Sequence, residues 1–276
     1  MNELIIPRDL PYMGCQLYKP HNVKFPCLIQ PKLNGIDARF YNRKFYTRTG
    51  KEWRGNVVQH LITSLLNAGV DDATMLQGQF YKHGKPLGWH ISNINVNLKE
   101  PTDETSMVEF AIFDFWNPLL TMDFGQRFQT LKHSALPLTI ACSLCNNYSQ
   151  IDEIFEHYIT QGYEGIVIIQ GSAPYVNDAH SKYKLKMKLF KDEEFRCIGV
   201  EKGTGKYLNC LGALRCETNE GKLFSVGTGF TNDERKKFFL LHDKFLIDAI
   251  VSVKHYGYSE DGIPLNPVFL AIRNYE

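Results

Sequence analysis

The sequence changes its pattern near residue 190, and this change limits the possible folds more than any other feature of the chain. Before this point, segments typical of strands alternate with segments typical of helices. After Asp192, short β segments separated by the turns GTG, NEG and VGTG follow one another, with a single helix among them. We therefore predict an α+β protein of two domains, residues 1–190 and 191–276, in which the second is a small β-barrel. The polar segment KLFKDEE is the expected hinge.

Three helices are predicted from apolar spacing and from residues that favour helix ends. Asn56 is the expected N-cap of the first helix, whose apolar side chains recur at helical spacing. Ser149 opens the second helix, which stops at Gly162. Thr231 and Glu234 form the expected capping box of the third helix, which lies in the second domain.

Composition excludes several classes of protein. The formal net charge is +1, so a surface that binds nucleic acid must be a local one. The seven cysteines are odd in number and irregularly spaced, which favours reduced thiols over a disulfide framework. No apolar run is long enough to span a membrane, and the first residues do not read as a secretory leader. We expect a cytoplasmic protein that does not bind membranes.

A local excess of lysines surrounds the predicted domain boundary. Between residues 182 and 206, eight Lys or Arg stand against four Asp or Glu. In the segment KYKLKMKLF, the lysines occur at every second position, so on a strand their side chains share one face. Such a face is either solvated or a surface that binds phosphate groups. Alternation alone does not choose between the two.

A series of short motifs runs through the whole chain. The motifs are PKLNG (31–35), YTRTG (46–50), LQGQFY (76–81), FAIFDFW (110–116), YEGIVI (163–168), YKLKMKLF (183–190), GTGKYLNCLGAL (203–214), VGTGF (226–230) and GIPLNPVFLAIR (262–273). Together they resemble the covalent nucleotidyltransferase superfamily, and more closely the small ATP-dependent DNA ligases of viruses and bacteriophages. The resemblance begins at about residue 12. It implies a nucleotidyltransferase domain of ATP-grasp-like antiparallel sheets with helices, followed by an OB-fold barrel.

The resemblance also implies a reaction with ATP and with nicked duplex DNA, by a protein that we expect to be monomeric. A lysine attacks the α-phosphate of ATP, the AMP passes to the 5′-phosphate of a nick, and the 3′-hydroxyl then displaces it. The matching position for this nucleophile is Lys32, which stands in the bend between two strand-like segments. An ordinary lysine is protonated at neutral pH, so neighbouring cations or a metal ion must favour its neutral form. Replication, repair and recombination of DNA are the expected settings.

The resemblance assigns roles to residues on several motifs. Lys186 and Lys188 are expected to bind the α-phosphate and to stabilise the transition state, as catalytic residues beside Lys32. The other nucleotide contacts are Gln30 at the amino edge of adenine, Leu33 and Gly35 in the KLNG bend, Arg48 at the ribose or the nick 5′-phosphate, Phe113 stacked on adenine, and Glu164 and Gln79. Glu164 and Gln79 are also the expected ligands of Mg²⁺ or Mn²⁺.

Several positions depart from the pattern of the family. Asn34, Gln77 and Gln79 stand where carboxylates are usual, and Asp37, Ile169 and Leu265 stand where arginines are usual. Arg39 is expected to compensate for Asp37, because residues two apart on a strand share a face. Three interpretations stay open: an active DNA ligase with a divergent site, a weak or inactive nick-binding protein of the same fold, and an RNA ligase or capping-type nucleotidyltransferase.

Overall fold

The computed structural model describes residues 7–259 and 261–273, except for the side chains of residues 7 and 241–245. It divides into two compact units, Met1–Lys188 and Leu189–Glu276. In the part of the chain that it describes, no helix has both the length and the apolar character that crossing a bilayer requires.

The first unit consists of strands and helices in mixed order. Its strands are β1 (Met13–Leu17), β2 (Cys27–Lys32), β3 (Ile36–Tyr41), β4 (Lys44–Tyr46), β5 (Met75–Tyr81), β6 (Glu109–Trp116), β7 (Ser143–Cys145), β8 (Gly165–Gln170) and β9 (Asp178–Lys188). Its helices are α1 (Gly55–Asn67), α2 (Leu87–Asn93), α3 (Phe124–Lys132) and α4 (Tyr148–Thr160).

Two sheets organise this unit. The first has the order β1-β9-β8-β2-β7, and the second has the order β4-β3-β5-β6. The pairs follow the expected antiparallel pattern except for β1 and β9, which run parallel. One face of the first sheet is apolar, because the side chains of its strands alternate between its two sides. Ile29, Ile166, Ile168 and Leu185 lie on this face and pack with Ile151 of α4.

The opposite face of the first sheet carries the polar members of the same strands. Gln30 and Lys32 alternate with Ile29 on β2, and Lys186 and Lys188 alternate with Leu185 on β9. The helix on the apolar face therefore forces these amines and amides to the other side, where α4 does not cover them. This polar face positions the site described below.

Most of the predicted apolar stripe of α1 is confirmed, since Val57, Val58, Leu61 and Leu65 are buried in the core of the second sheet, whereas Leu66 is exposed. Its predicted cap is wrong. Arg54 is the N-cap, and Asn56 lies inside the helix, where its amide donates to the carbonyl of Lys99 and to Glu100. Asn56 is thus drawn to a neighbouring loop instead of to the end of its own helix.

The N-terminus of α4 also differs from the prediction by a small shift. The helix begins at Tyr148, and Asn147 is its N-cap, accepting a hydrogen bond from the backbone of Gln150. Ser149, the expected start, lies within the first turn and donates to Glu153. An Asn in extended backbone is a strong N-cap, and here it outcompetes a serine two residues later.

The second unit is built from strands β10 (Lys191–Lys202), β11 (Leu211–Glu217), β12 (Leu223–Val226), β13 (Ile250–His255) and β14 (Val268–Arg273), and from helix α5 (Asn232–Phe245). Their order in the sheet is β12-β11-β10-β13-β14. A bridge between Thr228 and Val268 joins the ends of this order, and the backbone N–H of Phe269 donates to the carbonyl of Thr228. The sheet therefore curls towards a closed barrel, as in an OB-fold.

Two details of this unit test the sequence predictions. Thr231 and Glu234 form the predicted capping box, with hydrogen bonds in both directions between backbone and side chain. The polar segment expected as a hinge is mostly strand, because β9 ends at Lys188 and β10 begins at Lys191. The acidic residues at the start of β10 pair with β13 through their backbone, so their polarity marks an exposed strand and not a loop.

Candidate functional site

A single row of residues crosses three strands of the first sheet at one end. Lys32 on β2 pairs with Gly165 on β8, and Gly165 pairs with Lys188 on β9. The middle of the row has no side chain, and a Cβ at Gly165 would lie 2.1 Å from the carbonyl oxygen of Met187. The glycine thus permits the close approach of β8 and β9 and leaves open space between the two lysines.

Glu164 brings the two ammonium groups of this row together. Lys32 Nζ lies 2.5 Å from Glu164 Oε2, and Lys188 forms an ion pair with Oε1 of the same carboxylate. The backbone N–H of Glu164 donates to the carbonyl of Lys32 over 3.1 Å, which fixes the residue beside the row. The three side chains are partly buried, with 17%, 17% and 21% of their surfaces exposed for Lys32, Lys188 and Glu164.

The pKa values of this cluster reflect its crowding. Burial raises the pKa of the Glu164 carboxyl, but the charge of Lys32 and the hydrogen bonds from both lysines outweigh burial, so the pKa lies below its ordinary value. Burial lowers the pKa of Lys188, and the charge of Lys32 lowers it further, against the opposing pull of Glu164. Glu164 is therefore a carboxylate, and Lys188 gives up its proton more easily than an exposed lysine does.

A cavity of about 200 Å³ opens over the polar face of the sheet, next to this row. Lys32 and Lys186 contribute to its wall, and within the described ranges the ammonium group of Lys186 makes no hydrogen bond or ion pair. Together with Lys188, these lysines carry three positive charges against the single negative charge of Glu164, so this end of the cavity has a net charge of +2. Other wall residues are Tyr12, Cys15, Gln30, Leu33, Asp37, Arg48, Gln77, Gln79, Phe113, Val167, His180 and Lys184.

Phe113 reaches the cavity because β6 contains a bulge. Strand β5 advances by one residue, from Gln77 to Gly78, where β6 advances by two, so Phe113 is the extra residue. A bulge redirects the side chain of its extra residue, and this ring lines the cavity while its neighbours in β6 are buried. Gln30 donates from Nε2 to the carbonyl oxygen of Phe113 over 3.1 Å. This hydrogen bond joins the first sheet, which contains Gln30, to the second sheet, which contains Phe113.

Arg48 lies at another wall, in a chain of contacts that leads to the KLNG bend. Its guanidinium carbon is 4.9 Å from the ring centroid of Tyr12, whose hydroxyl donates to Asp37 over 2.9 Å. Gln79 donates to the other oxygen of Asp37 over 2.8 Å and accepts from the backbone N–H of Gly35 over 3.2 Å. The amide of Gln79 therefore connects Asp37 with the bend that carries Lys32.

This geometry bears on the expected metal ligands. Within the described ranges, no three His, Cys, Asp or Glu side chains stand close enough to hold a metal ion by themselves. The oxygen of Gln79 already accepts a hydrogen bond from Gly35, while Glu164 offers a carboxylate beside Lys32. The residues present fit an ion held by one protein carboxylate and by phosphate oxygens, which is a usual arrangement for Mg²⁺.

Arg39 does not compensate for Asp37 as expected. Its guanidinium is buried and donates to the backbone carbonyls of Leu10, Thr47 and Arg48. It therefore holds the loop that carries Arg48 in place, and it does not line the cavity. Sharing a strand face with Asp37 was not sufficient, because the N-terminal segment covers this part of the sheet.

The remaining positions divide between the wall and the framework. Leu33 is buried and packs with Tyr81 beside the cavity. Gln77, another position that lacks its usual carboxylate, bonds with the carbonyl of Met13 and the hydroxyl of Tyr175. Leu265 lies in the connection between β13 and β14 of the second unit, where its backbone pairs with Tyr256 and Gly257, and its side chain is exposed.

Sequence reasoning missed several wall residues. Tyr12 and Cys15 precede the first motif, and His180 lies in β9 before the regular lysines, so no spacing marked them. Lys184 carried a signal in the alternation of lysines, yet no role was assigned to it. Its position on the face shared with Lys186 is confirmed by the register of β9.

Comparison with family models decides the family. Residues 24–188 match the model of an ATP dependent DNA ligase domain, and residues 202–273 match the model of a DNA ligase OB-like domain. The first match alone covers more than half of the chain. The chain belongs to the ATP-dependent DNA ligase family. The predicted fold class, a nucleotidyltransferase domain followed by an OB-fold, is thereby confirmed.

Curated relatives agree with this family. The DNA ligase of African swine fever virus (isolate Pig/Kenya/KEN-50/1950) is 31% identical over 219 residues, which are 72% of this chain and 50% of the viral protein. The DNA ligase of Haemophilus influenzae is 33% identical over 101 residues, or 37% of this chain and 35% of that protein. The chain therefore spans about half the length, or less, of these relatives.

Solved structures share the fold. A structure from a structure–function study of Lig E DNA ligases has a TM-score of 0.76 and 23% identity, with 95% of this chain and 100% of that chain covered. A structure of Chlorella virus DNA ligase–adenylate has a TM-score of 0.52 and 23% identity, with 96% and 98% covered. At this level of identity the structures support the fold alone.

Proposed function

We propose that this chain is an active ATP-dependent DNA ligase that seals nicks in duplex DNA through a lysyl–AMP intermediate on Lys32. The observation that carries the proposal is the row in which Lys32 and Lys188 meet at Glu164, at one end of a cavity whose wall includes Phe113. The departures from the family pattern lie around this row, while its nucleophile, cations and carboxylate are all present.

The first step forms a bond between Lys32 Nζ and the α-phosphorus of ATP. The bond from this phosphorus to the bridging oxygen breaks, and pyrophosphate leaves with the electron pair. Lys32 must lose a proton before it attacks, and Glu164 Oε2, at 2.5 Å, accepts the hydrogen bond that carries this proton. Lys188 brings a second ammonium group to the same carboxylate, and the two positive charges repel each other.

The phosphates fit the cationic end of the cavity. Lys186 and Lys188 are assigned to the α-phosphate, where they stabilise the charge that develops on its oxygens. Lys186 suits this role because its ammonium lines the cavity and is not paired with a carboxylate of the described chain. A phosphate that enters would also compete with Glu164 for the two lysines of the row, which frees the nucleophile.

A divalent ion fits beside Glu164 together with the ATP phosphates. When bound there, Mg²⁺ or Mn²⁺ supplies positive charge that offsets the charge of the phosphate oxygens. Glu164 is the protein ligand that we assign to it. Gln79 is assigned instead to the support of the KLNG bend, because both ends of its amide are already bonded.

The adenosine occupies the other end of the cavity in this proposal. Phe113 presents its ring for stacking. Gln30 lies beside it, and its side-chain oxygen is the group that we assign to accept a hydrogen bond from the amino group of adenine. Leu33 and Gly35 shape the bend beneath the nucleotide, and a Cβ at Gly35 would lie 2.5 Å from the carbonyl oxygen of Phe80. Arg48 is assigned to the ribose or to the 5′-phosphate of the nick.

In the later steps a monomer acts on nicked duplex DNA. We assign these steps to a nucleotidyltransferase domain and an OB-fold domain, with the boundary between them near residue 190. Lys182, the exposed lysine of β9, is assigned to backbone phosphates, since positive charge for DNA must be local in a chain that is nearly neutral as a whole. We assign the protein to DNA replication, repair or recombination in the cytoplasm, that of a host cell if the source is viral.

Labelled ATP tests this function. Purified protein is incubated with Mg²⁺ or Mn²⁺ and ATP labelled at its α-phosphate, and a labelled adduct that is stable to base is expected for the wild type and absent in Lys32→Ala. Sealing of a nicked duplex with a DNA or an RNA 3′ end then separates a DNA ligase from an RNA ligase. No adduct with either metal, or an adduct in Lys32→Ala, would replace the proposal with a nick-binding role.

A further inference from the structure

Lys184 is a buried cation in the cavity wall that no anion neutralises. Only 2% of its surface is exposed, and within the described ranges its ammonium group makes no ion pair and no side-chain hydrogen bond, only a contact with the ring of Phe113. A buried charge without a partner is costly, so such a residue persists where a ligand supplies the missing partner. Asp114, a carboxylate of the neighbouring β6, is already bound by two nitrogens of Arg127 and is not available.

The register of the sheet places Lys184 far from the phosphate end. Lys184 pairs with Ile169, whereas Lys188 pairs with Gly165 in the row of the nucleophile. The two lysines are four residues apart on one strand, which corresponds to about 13 Å. Lys184 therefore lies at the end of the cavity assigned to the base, while Lys186 and Lys188 lie towards the phosphates.

Contacts within the cavity agree with this position. Lys184 Nζ is 4.6 Å from the ring centroid of Phe113, the residue that the bulge turns into the cavity. Gln30 donates from Nε2 to the carbonyl of Phe113. It lies on β2 opposite Val167, two residues along β8 from the Ile169 that pairs with Lys184. Lys184 and Gln30 therefore both line the cavity beside Phe113.

We propose that Lys184 recognises the base of the nucleotide, by donating a hydrogen bond to a ring nitrogen next to the amino group of adenine, either N1 or N7. The inference rests on the proposed function, because it assumes that ATP occupies this cavity. Adenine presents an amino donor beside each of these acceptor nitrogens, which matches a glutamine oxygen beside an ammonium group. Guanine presents a carbonyl oxygen in place of the amino group, so the same pair selects against it.

This role predicts a rearrangement when the nucleotide enters. The ammonium of Lys184 lies over the aromatic ring on which adenine is expected to stack, so the two cannot occupy this space together. The side chain then moves from the ring to the edge of the base. The cation–π contact thus compensates for part of the cost of the buried charge until the nucleotide replaces it.

Binding of ATP analogues tests the inference without the reaction. The ligand is an ATP in which a methylene group replaces the oxygen between the α- and β-phosphates, and its Kd is measured by calorimetry. Lys184→Met, which keeps the length of the side chain, is expected to weaken binding by about tenfold or more, as for loss of a hydrogen bond from a charged group. Lys182→Met, at an exposed position on the same strand, is the matched control and is expected to bind like the wild type.

The same analogue without one ring nitrogen identifies the acceptor. Either the 1-deaza or the 7-deaza form is expected to bind the wild type about tenfold more weakly, and to show no such loss against Lys184→Met. If the wild type binds both deaza forms as tightly as the parent, or if the losses are equal in Lys184→Met, the inference is overturned. The wild-type arm needs no variant, so it can overturn the inference even if Lys184→Met does not fold.

Failure of this inference is distinct from failure of the proposed function. A wild type that forms the lysyl–AMP adduct, but in which Lys184→Met binds the analogue unchanged, contradicts only the role of Lys184. A wild type that binds no nucleotide and forms no adduct contradicts both.

Discussion

Two clusters of buried charge in the first unit differ in a way that separates framework from chemistry. Arg127 and Asp114 form a one-to-one pair with two hydrogen bonds, and their side chains are only 3% and 1% exposed. Lys32, Lys188 and Glu164 form a two-to-one cluster that is partly exposed and opens onto a cavity.

The difference lies in the balance of positive and negative charge within each cluster. The guanidinium of Arg127 also donates to the carbonyls of Met122 and Ala173, so the pair has its partners within the fold. In the other cluster, two ammonium groups compete for one carboxylate, and Lys186 adds a third positive charge nearby. A surplus of one sign next to a cavity attracts a ligand of the other sign. Buried charge by itself therefore does not indicate function, whereas an imbalance of charge at a cavity does.

The largest expected effect is on stability at the balanced pair. Asp114→Asn leaves the guanidinium of Arg127 buried without its carboxylate, and we expect the free energy of unfolding to fall by about 3–5 kcal/mol. Urea unfolding measures it through tryptophan fluorescence, since all three tryptophans lie in the first unit. Glu164→Gln is the matched change in the other cluster, and we expect it to lower the free energy of unfolding by about 1 kcal/mol or less. Equal losses at the two positions would contradict the distinction between the clusters.

The next effect is on activity at the imbalanced cluster. Lys188→Met removes one of the charges assigned to the α-phosphate, and we expect the rate of protein–AMP formation to fall by about 10²–10³-fold. Its unfolding free energy should stay within about 1 kcal/mol of the wild type, because Glu164 keeps Lys32 as a partner. Lys182→Met, on the same strand, serves as the control. An unchanged rate in Lys188→Met would remove this lysine from the chemistry.

A smaller effect is expected from pH. The folded-state pKa of Glu164 lies below its ordinary value, so its contribution to stability is complete above that ordinary value, about 4.3. The contribution is lost as the pH falls through the folded-state pKa, because protonation removes the ion pairs. The difference in unfolding free energy between wild type and Glu164→Gln should therefore shrink as the solution is acidified below about pH 4. A difference that grows in this range would show that the carboxylate is not stabilised by the lysines.

The smallest expected effect is at Gln79. Gln79→Glu replaces the donor to Asp37 with a second carboxylate, and we expect a loss of about 1 kcal/mol in unfolding free energy and no change in the Mg²⁺ concentration needed for adduct formation. Both are measured on the same preparation, with Gln79→Met as a neutral control. A sharp fall in the Mg²⁺ requirement would instead make position 79 a metal ligand.

The sequence allowed the prediction of features that depend on local pattern. The capping box of Thr231 and Glu234, the apolar stripe of α1 and the bend at Lys32 were predictable because each depends on residues close together in the chain. The order of motifs also predicted the two kinds of domain, which the family matches confirm.

Features that depend on register and on competition between partners were not predictable. Nothing local indicates that Phe113 is the extra residue of a bulge, or that Arg39 binds the carbonyls of distant loops. The position of Lys184 two residue pairs beyond Lys186 and four beyond Lys188 follows from its pairing with Ile169, which only the assembled sheet defines. Asn56 was mistaken for a cap because its partners at residues 99 and 100 are remote in sequence.

The central claim is that the imbalanced cluster exists to make Lys32 a nucleophile towards ATP. Mapping of the adduct by peptide mass spectrometry tests it most directly, after incubation of the wild type with ATP and Mg²⁺ or Mn²⁺. The account predicts a single AMP on the peptide that contains Lys32, and unmodified peptides that contain Lys184, Lys186 and Lys188. An AMP on one of these other lysines, or no AMP on any peptide, would contradict it.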